Sequence, residues 1–271
     1  MDSPDTRPGA PNTAAPSSRP LDGRTAIVTG ASTPHGLGRA IARRFARAGA
    51  SLLLVAEGTS AQLAEARAQC AAEPGAGRVE SACIDLGVPG APERMVEQAE
   101  ACFGRVDVLV NNAGIRMPVA FGEYTREQFD RVVAVNLAAP FFASQAVLPL
   151  MRRQGGGRII HVASQLGHVT FDRRALYGLT KAALIHLTKS MAHELARENI
   201  LVNAISPGPV FTEAPVNTDP QVRAQRIERY LPGGRYGEPE EVAELALFLA
   251  TAAPAFLQGQ DILIDGGYTN H

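Results

Sequence analysis

The sequence predicts an α/β fold, a parallel sheet of seven strands doubly wound by helices, and three observations carry that prediction. Short β-branched runs alternate with longer helical patterns from Leu21 onward, which is how a parallel sheet wrapped by helices is written. A glycine-rich stretch, "TGASTPHGLG" from Thr29 to Gly38, separates the first run from the first helical pattern. Polar residues such as "NNAG" and Ser164 stand at the carboxyl ends of runs, where ligands sit in open α/β sheets.

The candidate strands are "TAIVTG", "SLLLVA", "RVESACID", "VDVLVNNAG", "GRIIHVAS", "ILVNAISPG" and "QDILIDGG". Seven such runs make one doubly wound domain, 21–271, and not two. The glycines behind the first run are spaced Gly30-x5-Gly36-x-Gly38. That spacing fits neither G-x-G-x-x-G nor G-x-x-x-x-G-K-[ST], because no Lys-Ser or Lys-Thr follows. The next segment, "LGRAIARRFARAG", puts Leu37, Ile41 and Phe45 four apart with Arg43, Arg44 and Arg47 on other faces, an amphipathic helix closed by Gly49. The helix begins where the loop ends, so its unpaired N–H groups and positive dipole end face the loop, the natural seat of a dinucleotide pyrophosphate.

Long helices are also predicted over "TREQFDRVVAVNLAAPFFASQAVLPLMRR" and "RALYGLTKAALIHLTKSMAHELARE". Their apolar residues run nearly all round, so more than one face needs cover, and a partner subunit of a homo-oligomer supplies it. The connection 209–235, "PVFTEAPVNTDPQVRAQRIERYLPGGR", is Pro-rich at its ends with a polar helical centre, and connections of this length are commonly lids over a site. No internal repeat is present.

Composition narrows the function classes. A formal charge of −1 over 271 residues gives no electrostatic reason for nucleic acid or a membrane surface as partner. Cys70, Cys83 and Cys102 form no CxxC pair and are odd in number, which argues against a disulfide framework or a zinc site and for a reducing cytoplasm. "HELAR" at His193 lacks the second His of a zinc-protease motif, so no metal is expected. The first twenty residues, "MDSPDTRPGAPNTAAPSSRP", lack the basic start and apolar centre of a secretory signal and read as a disordered tail. No apolar run approaches the ~20 residues that span a bilayer.

The chemistry is carried by a constellation. Tyr177 and Lys181 are four apart in "ALYGLTKAAL", so both side chains emerge on one helix face. A Y-x-x-x-K pair alone means little; Tyr177 would usually be a surface aromatic. Its company changes the reading. Ser164 lies thirteen residues earlier at the end of "GRIIHVAS", Asn111–Gly114 close the preceding strand, and Asn136 in "VNLAAPF" sits inside an otherwise apolar helix. Singly, Ser164 reads as a strand-end cap and Asn136 as a satisfied buried amide.

Together, from Leu21 to Tyr268, these parts resemble the short-chain dehydrogenase/reductase family in kind and in order, including "SPGPVFT" after the sixth strand and "GRYGEPEEVAELALFLA" before the last. The resemblance implies a Rossmann fold and a nicotinamide-linked oxidoreductase that interconverts a secondary alcohol and a ketone. The family's loop is Thr-Gly-x-x-x-Gly-x-Gly; here two extra residues lengthen its tip around Thr33, Pro34 and His35. Gly30 would permit the tight turn, with Gly36 and Gly38 allowing close backbone approach.

By the same resemblance the catalytic set is Asn136, Ser164, Tyr177 and Lys181. Tyr177 is the general acid and base, Ser164 donates to the substrate oxygen, Lys181 grips the nicotinamide ribose, and Asn136 holds a water that passes protons to Lys181. A phenol ordinarily titrates near pH ~10, and an ammonium ~4 Å away at an effective dielectric of ~20 favours an ionised neighbour by about 4 kcal/mol before screening. The coenzyme contacts implied are Gly30, Ser32, His35, Gly36, Leu37, Gly38, Glu57, Asp85, Leu86, Asn111, Asn112, Ala113, Gly114, Pro207, Gly208, Val210 and Thr212, with Tyr177 and Lys181. Asp85 in "CIDL" matches the adenine-side acid, with a turn cap as its alternative role.

NAD is favoured over NADP, because Glu57 after the second strand accepts from a ribose hydroxyl and repels a 2'-phosphate. His35 opposes this, standing where NADP users often carry a basic residue. The substrate wall is expected to mix Gln165, Leu166, His168, Leu176, Pro209 and Arg116 with Phe211 and Tyr230 of the lid, and no specific compound follows. Within the oxidoreductase class an NAD-linked polyol or hydroxy-acid dehydrogenase and an NADPH-linked β-ketoacyl reductase both stay open, and outside it a silent cofactor-sensing protein, which would ordinarily lack Tyr or Lys at the active pair. A dimer or tetramer is implied.

Overall fold

The computed structural model describes residues 19–58, 60–212 and 219–270. The expected tail falls almost wholly on 1–18, and the lid in part on 213–218, outside the described residues.

Seven strands form one wholly parallel sheet: β1 (Thr25–Thr29), β2 (Ser51–Ala56), β3 (Val79–Cys83), β4 (Val108–Asn111), β5 (Gly157–Val162), β6 (Ile200–Pro207) and β7 (Asp261–Ile264), in the order β3-β2-β1-β4-β5-β6-β7. Each falls within its apolar run. The order reverses between β1 and β4, and such a reversal opens a crevice at the strands' carboxyl ends.

Alternate residues of the central strands feed two apolar layers. Val28, Leu54 and Val110 pack with α1 (Leu37–Arg47), α2 (Ser60–Ala71) and α8 (Pro239–Ala250), where Ile41, Phe45, Leu63 and Ala246 are buried. Ile27, Leu53 and Leu109 pack on the other face with α3 (Ala91–Phe103), α5 (Ala139–Arg153) and α6 (Ala175–Leu195), through Met95, Val147, Met151 and Ala192. Burial on both faces explains why the central strands β1, β2 and β4 are almost wholly apolar, while the edge strands β3 (VESAC) and β7 (DILI) are only partly buried.

A continuous helix runs from Arg126 to Arg153. It comprises α4 (Arg126–Val133), a π-helical stretch (Ala134–Ala138) and α5, and Thr125 starts it with a capping box closed by Gln128. This corrects one sequence expectation: by length and composition alone, the helix is long and apolar enough to cross a membrane. Its inner face, with Val147, Leu150 and Met151, belongs to the core, while Phe141 and Phe142 are exposed. The 209–235 connection contains α7 (Pro220–Tyr230), whose N-terminus is capped by Asp219.

Candidate active site

Every strand end from β1 to β6 contributes to one cleft of about 890 Å³ along the carboxyl edge of the sheet. Its floor on the β1 side is the glycine loop. Gly30 turns with φ 68°, a left-handed conformation that favours glycine, and Gly36 starts α1 with no capping side chain and no acid in the first turn. The additional loop residues close as a turn, Gly36 N–H donating to Thr33 O at 3.0 Å, so Pro34 and His35 are exposed at its tip. A guanidinium from behind fixes the loop: Arg39, almost wholly buried, donates to the carbonyls of Ser32 and Gln62. A Cβ at Gly38 would stand 2.3 Å from Gly30 O, so that helix residue must be glycine for the loop to lie on it.

The loop is joined to the NNAG segment through one hydroxyl. Thr29 Oγ1 accepts from the N–H groups of Asn112 and Ala113, both at 2.9 Å, and donates to Val110 O at 3.2 Å. Asn112 Nδ2 returns to Thr29 O at 2.8 Å.

Asn136 sits on the π-helical stretch, an insertion of a kind found often at functional sites. Its Oδ1 accepts from Ile115 N–H at 2.8 Å, and its Nδ2 donates to Ile115 O at 3.0 Å and Thr180 Oγ1 at 3.1 Å. Both amide hydrogens are therefore committed to structure, and a relay water at this side chain is left the second lone pair of Oδ1.

Lys181 is 3 % exposed and donates to Val162 O at 2.7 Å, with Nζ 5.6 Å from the Tyr177 ring centre. Burial lowers its pKa, the Tyr177 phenol opposes that, and the Arg116 charge lowers it again. A Cβ on Gly114 would stand 3.5 Å from Lys181 Nζ and 3.4 Å from Asn136 Oδ1, so the bare glycine leaves the space over the ammonium open. Ser164 Oγ caps the short turn Gln165–Gly167 by accepting from Leu166 N–H at 3.2 Å, which leaves its own hydrogen for a ligand oxygen. That turn packs directly on α6, since a Cβ at Gly178 would stand 2.7 Å from Leu166 O. A glycine thus lets the turn after Ser164 lie directly on the part of α6 that carries Tyr177.

At the far end of the cleft, Arg131 of α4 binds two carboxylates. Its Nη1 donates to both Asp85 oxygens at 2.8 and 2.9 Å and its Nη2 to Glu57 at 2.5 Å. Burial alone would raise the Asp85 pKa, but the bonds from Arg131 and Gly87 N–H and the Arg131 charge outweigh it and hold the carboxyl below its usual range. Asp85 therefore caps a turn as well as lining the cleft.

Of the expected residues, Gly30, Ser32, Gly36, Leu37, Glu57, Asp85, Leu86, Asn112, Ala113, Gly114, Pro207, Gly208, Val210 and Thr212 line the cleft with Ser164, Tyr177 and Lys181. Six readings need correction. His35 points to solvent at the loop tip, and Gly38 lies beneath the loop. Asn111 turns to the opposite sheet face, bonding Ser144 at 3.1 Å. His168 binds Asp261 at 2.5 Å beside β7, and Leu176 is buried in packing. Phe211 of the expected lid leans on Tyr236, with ring centres 6.5 Å apart, and Tyr236 takes the place on the cleft wall. Sequence reasoning missed Arg131, Arg174, Phe171 and Tyr268. The last stacks on Tyr230 at 5.5 Å, a meeting of α7 with the C-terminal turn that no local pattern announces.

The chain belongs to the short-chain dehydrogenase/reductase family and is an NAD(P)-linked oxidoreductase of the alcohol and ketone class. A family model described as enoyl-(acyl carrier protein) reductase matches residues 30–269. The chain is 37% identical over 252 residues to a D-threitol dehydrogenase from Mycolicibacterium smegmatis, covering 92% of this chain and 94% of that one. An NAD-dependent glycerol dehydrogenase from Listeria innocua is 32% identical, with 91% and 94% covered, and a 3-oxoacyl-[acyl-carrier-protein] reductase from Thermotoga maritima 36% identical, with 91% and 98% covered. Among solved structures, L-sorbose reductase from Gluconobacter frateurii, complexed with NADPH and L-sorbose, superposes with a TM-score of 0.88 at 30% identity, covering 94% of this chain and all of that one.

Proposed function

We propose that this enzyme oxidises a small secondary alcohol, or reduces the matching ketone, with NAD as coenzyme and Tyr177 as the group that moves the proton. The observation that carries the reading is the convergence of Tyr177, Lys181 and Ser164 on one cleft whose other half is the glycine loop. A bound nicotinamide supplies the hydride acceptor or donor. Tyr177 takes the hydroxyl proton during oxidation and returns it during reduction. Ser164 hydrogen-bonds the substrate oxygen, and the Lys181 ammonium, pinned by Val162 O, favours the ionised phenol and holds ribose hydroxyls. Asn136 fixes the Ile115 backbone beside Lys181.

The cleft fits a dinucleotide by its own residues. Uncapped α1 meets a pyrophosphate, glycines leave its backbone bare, and Glu57 and Asp85 offer acceptors for ribose and adenine. NAD is favoured because the Glu57 carboxylate repels a 2'-phosphate and the nearby Arg131 already serves two acids. The Listeria relative is named as NAD-dependent, and the Gluconobacter structure contains NADPH, so the preference turns on these side chains. Substrates of the size of threitol, glycerol and sorbose, which the relatives' names state, fit the class. The Thermotoga relative favours a second reading, reduction of a 3-oxoacyl thioester with NADPH.

A homo-oligomer, dimer or tetramer, is part of the proposal: exposed Phe141 and Phe142 on α5 and Leu179 on α6 are apolar surface that a second copy would cover. So is a cytoplasmic setting, in keeping with three free thiols. The test is a Tyr177→Phe variant, which should retain NADH binding by fluorescence and lose turnover by about 10²-fold or more. Retained turnover across a panel of alcohols, ketones and 3-oxoacyl thioesters would remove Tyr177 from its role. Light scattering reads the subunit number.

A further inference from the structure

The cleft is electrically lopsided. Its described lining holds two carboxylates, Glu57 and Asp85, both at the adenosine end and both bonded to Arg131. At the substrate end it holds Arg116 and Arg174 beyond Tyr177, and no acidic side chain among the described residues. Arg116 is exposed and forms no ion pair among the described residues, whereas Arg43, Arg105, Arg126, Arg152 and Arg235 are each paired with an acid.

The backbone carrying these two guanidiniums is fastened. Tyr124 Oη donates to Met117 O at 3.2 Å, and Arg173 Nε donates to Pro118 O at 3.2 Å, tying the Arg116 segment to the start of α6. Arg173 has φ 59°, a left-handed conformation costly for a side chain with a Cβ, and the residue it sets at the α6 N-cap is Arg174. Phe171, Tyr230 and Tyr268 wall the same end with aromatic rings. Beside apolar surface, the exposed Arg116 guanidinium gains a charge-assisted partner when an anion enters, and a neutral ligand offers it none.

We propose that this end of the cleft is a carboxylate site built on Arg116 and flanked by Arg174, and that the substrate is a hydroxy acid, or its keto acid, rather than a neutral polyol. The inference rests on the oxidoreductase reading above. The chemistry at the carbinol is unchanged: its C–H leaves as hydride to the oxidised coenzyme, its O–H proton leaves to Tyr177, and the carboxylate remains intact as the handle that a guanidinium binds in planar register.

The experiment compares matched pairs with wild-type enzyme and NAD, read at the nicotinamide absorbance band: an aldonate against its alditol, and 3-hydroxybutyrate against its methyl ester. The acid should exceed its neutral partner in kcat/KM by about tenfold or more, mainly through KM, with the advantage shrinking as salt rises. Arg116→Gln should collapse that ratio by about tenfold, and Arg116→Lys should keep most of it, with NADH titration verifying that each variant is folded. Equal use of acid and neutral partner by wild type, or equal losses on both in Arg116→Gln, overturns the carboxylate site alone. Absence of turnover on every pair, with wild type indistinguishable from Tyr177→Phe, overturns the oxidoreductase reading and this inference with it.

Discussion

Arg131 holds Glu57 at 2.5 Å while gripping both oxygens of Asp85, so one guanidinium sets the two carboxylates at the adenosine end of the cleft. Coenzyme preference is consequently a property of three residues. Glu57→Gln, which removes the repulsion of a 2'-phosphate, should narrow the NAD over NADP preference by about tenfold in kcat/KM. Arg131→Met should raise KM for both coenzymes, because it releases Asp85 as well. Unchanged ratios in a side-by-side titration would show that Glu57 does not meet the ribose.

Asn136 is predicted to act through position. Asn136→Ala leaves the Ile115 N–H and C=O without their side-chain partner and should cost about 2 kcal/mol or more, lowering Tm by roughly 5 °C. Turnover should fall with coenzyme affinity little changed, since Ile115 adjoins the substrate end. Full activity together with a lowered Tm would confine Asn136 to stability.

Gly38 separates loop from helix. A methyl group there would meet Gly30 O at 2.3 Å and Asn112 Nδ2 at 2.5 Å, both parts of the coenzyme floor. Gly38→Ala should therefore weaken NADH binding by more than about tenfold, following the few kcal/mol typical of overpacking. Wild-type affinity by fluorescence titration would contradict the fit.

His161 gives stability a pH dependence. It is fully buried on β5 between Ser144 and Thr188, and burial, aided by the Lys181 charge, pushes its pKa down to about 3. In the unfolded chain it titrates near ~6.5, so between these limits the unfolded state binds the extra proton and acid favours unfolding. Stability should fall as pH drops from about 6.5 toward 3, by up to ~1.4 kcal/mol per unit from this group. Urea melts at pH 7 and pH 5 read the slope, and His161→Gln should flatten it.

The central strands were legible because burial on both faces demands continuous apolar runs, and all seven strands, the half-buried edges β3 and β7 included, fall within the expected segments. The catalytic set was legible because its spacing follows helix and strand geometry: Tyr177 and Lys181 share a face of α6, and Ser164 ends β5. What escaped depends on pairing between distant segments. Arg131 meets Asp85 and Glu57 across 46 and 74 residues, and His168 finds Asp261 across 93, so neither destination has a local signal. The long helix through Asn136 was legible from Thr125 to Arg153, and what its sequence did not announce is the π-helical stretch at Ala134–Ala138 that carries Asn136.

Thr29 stands at the seam where strand order reverses, and its hydroxyl stitches β1 to the turn after β4. The crevice mouth therefore has its width set before any guest arrives, by a fastening no wider than one oxygen atom. Serine at this position would preserve the stitch; valine, of nearly equal bulk, would let the two banks drift, loosening the guest while leaving the surrounding barrier of strands intact.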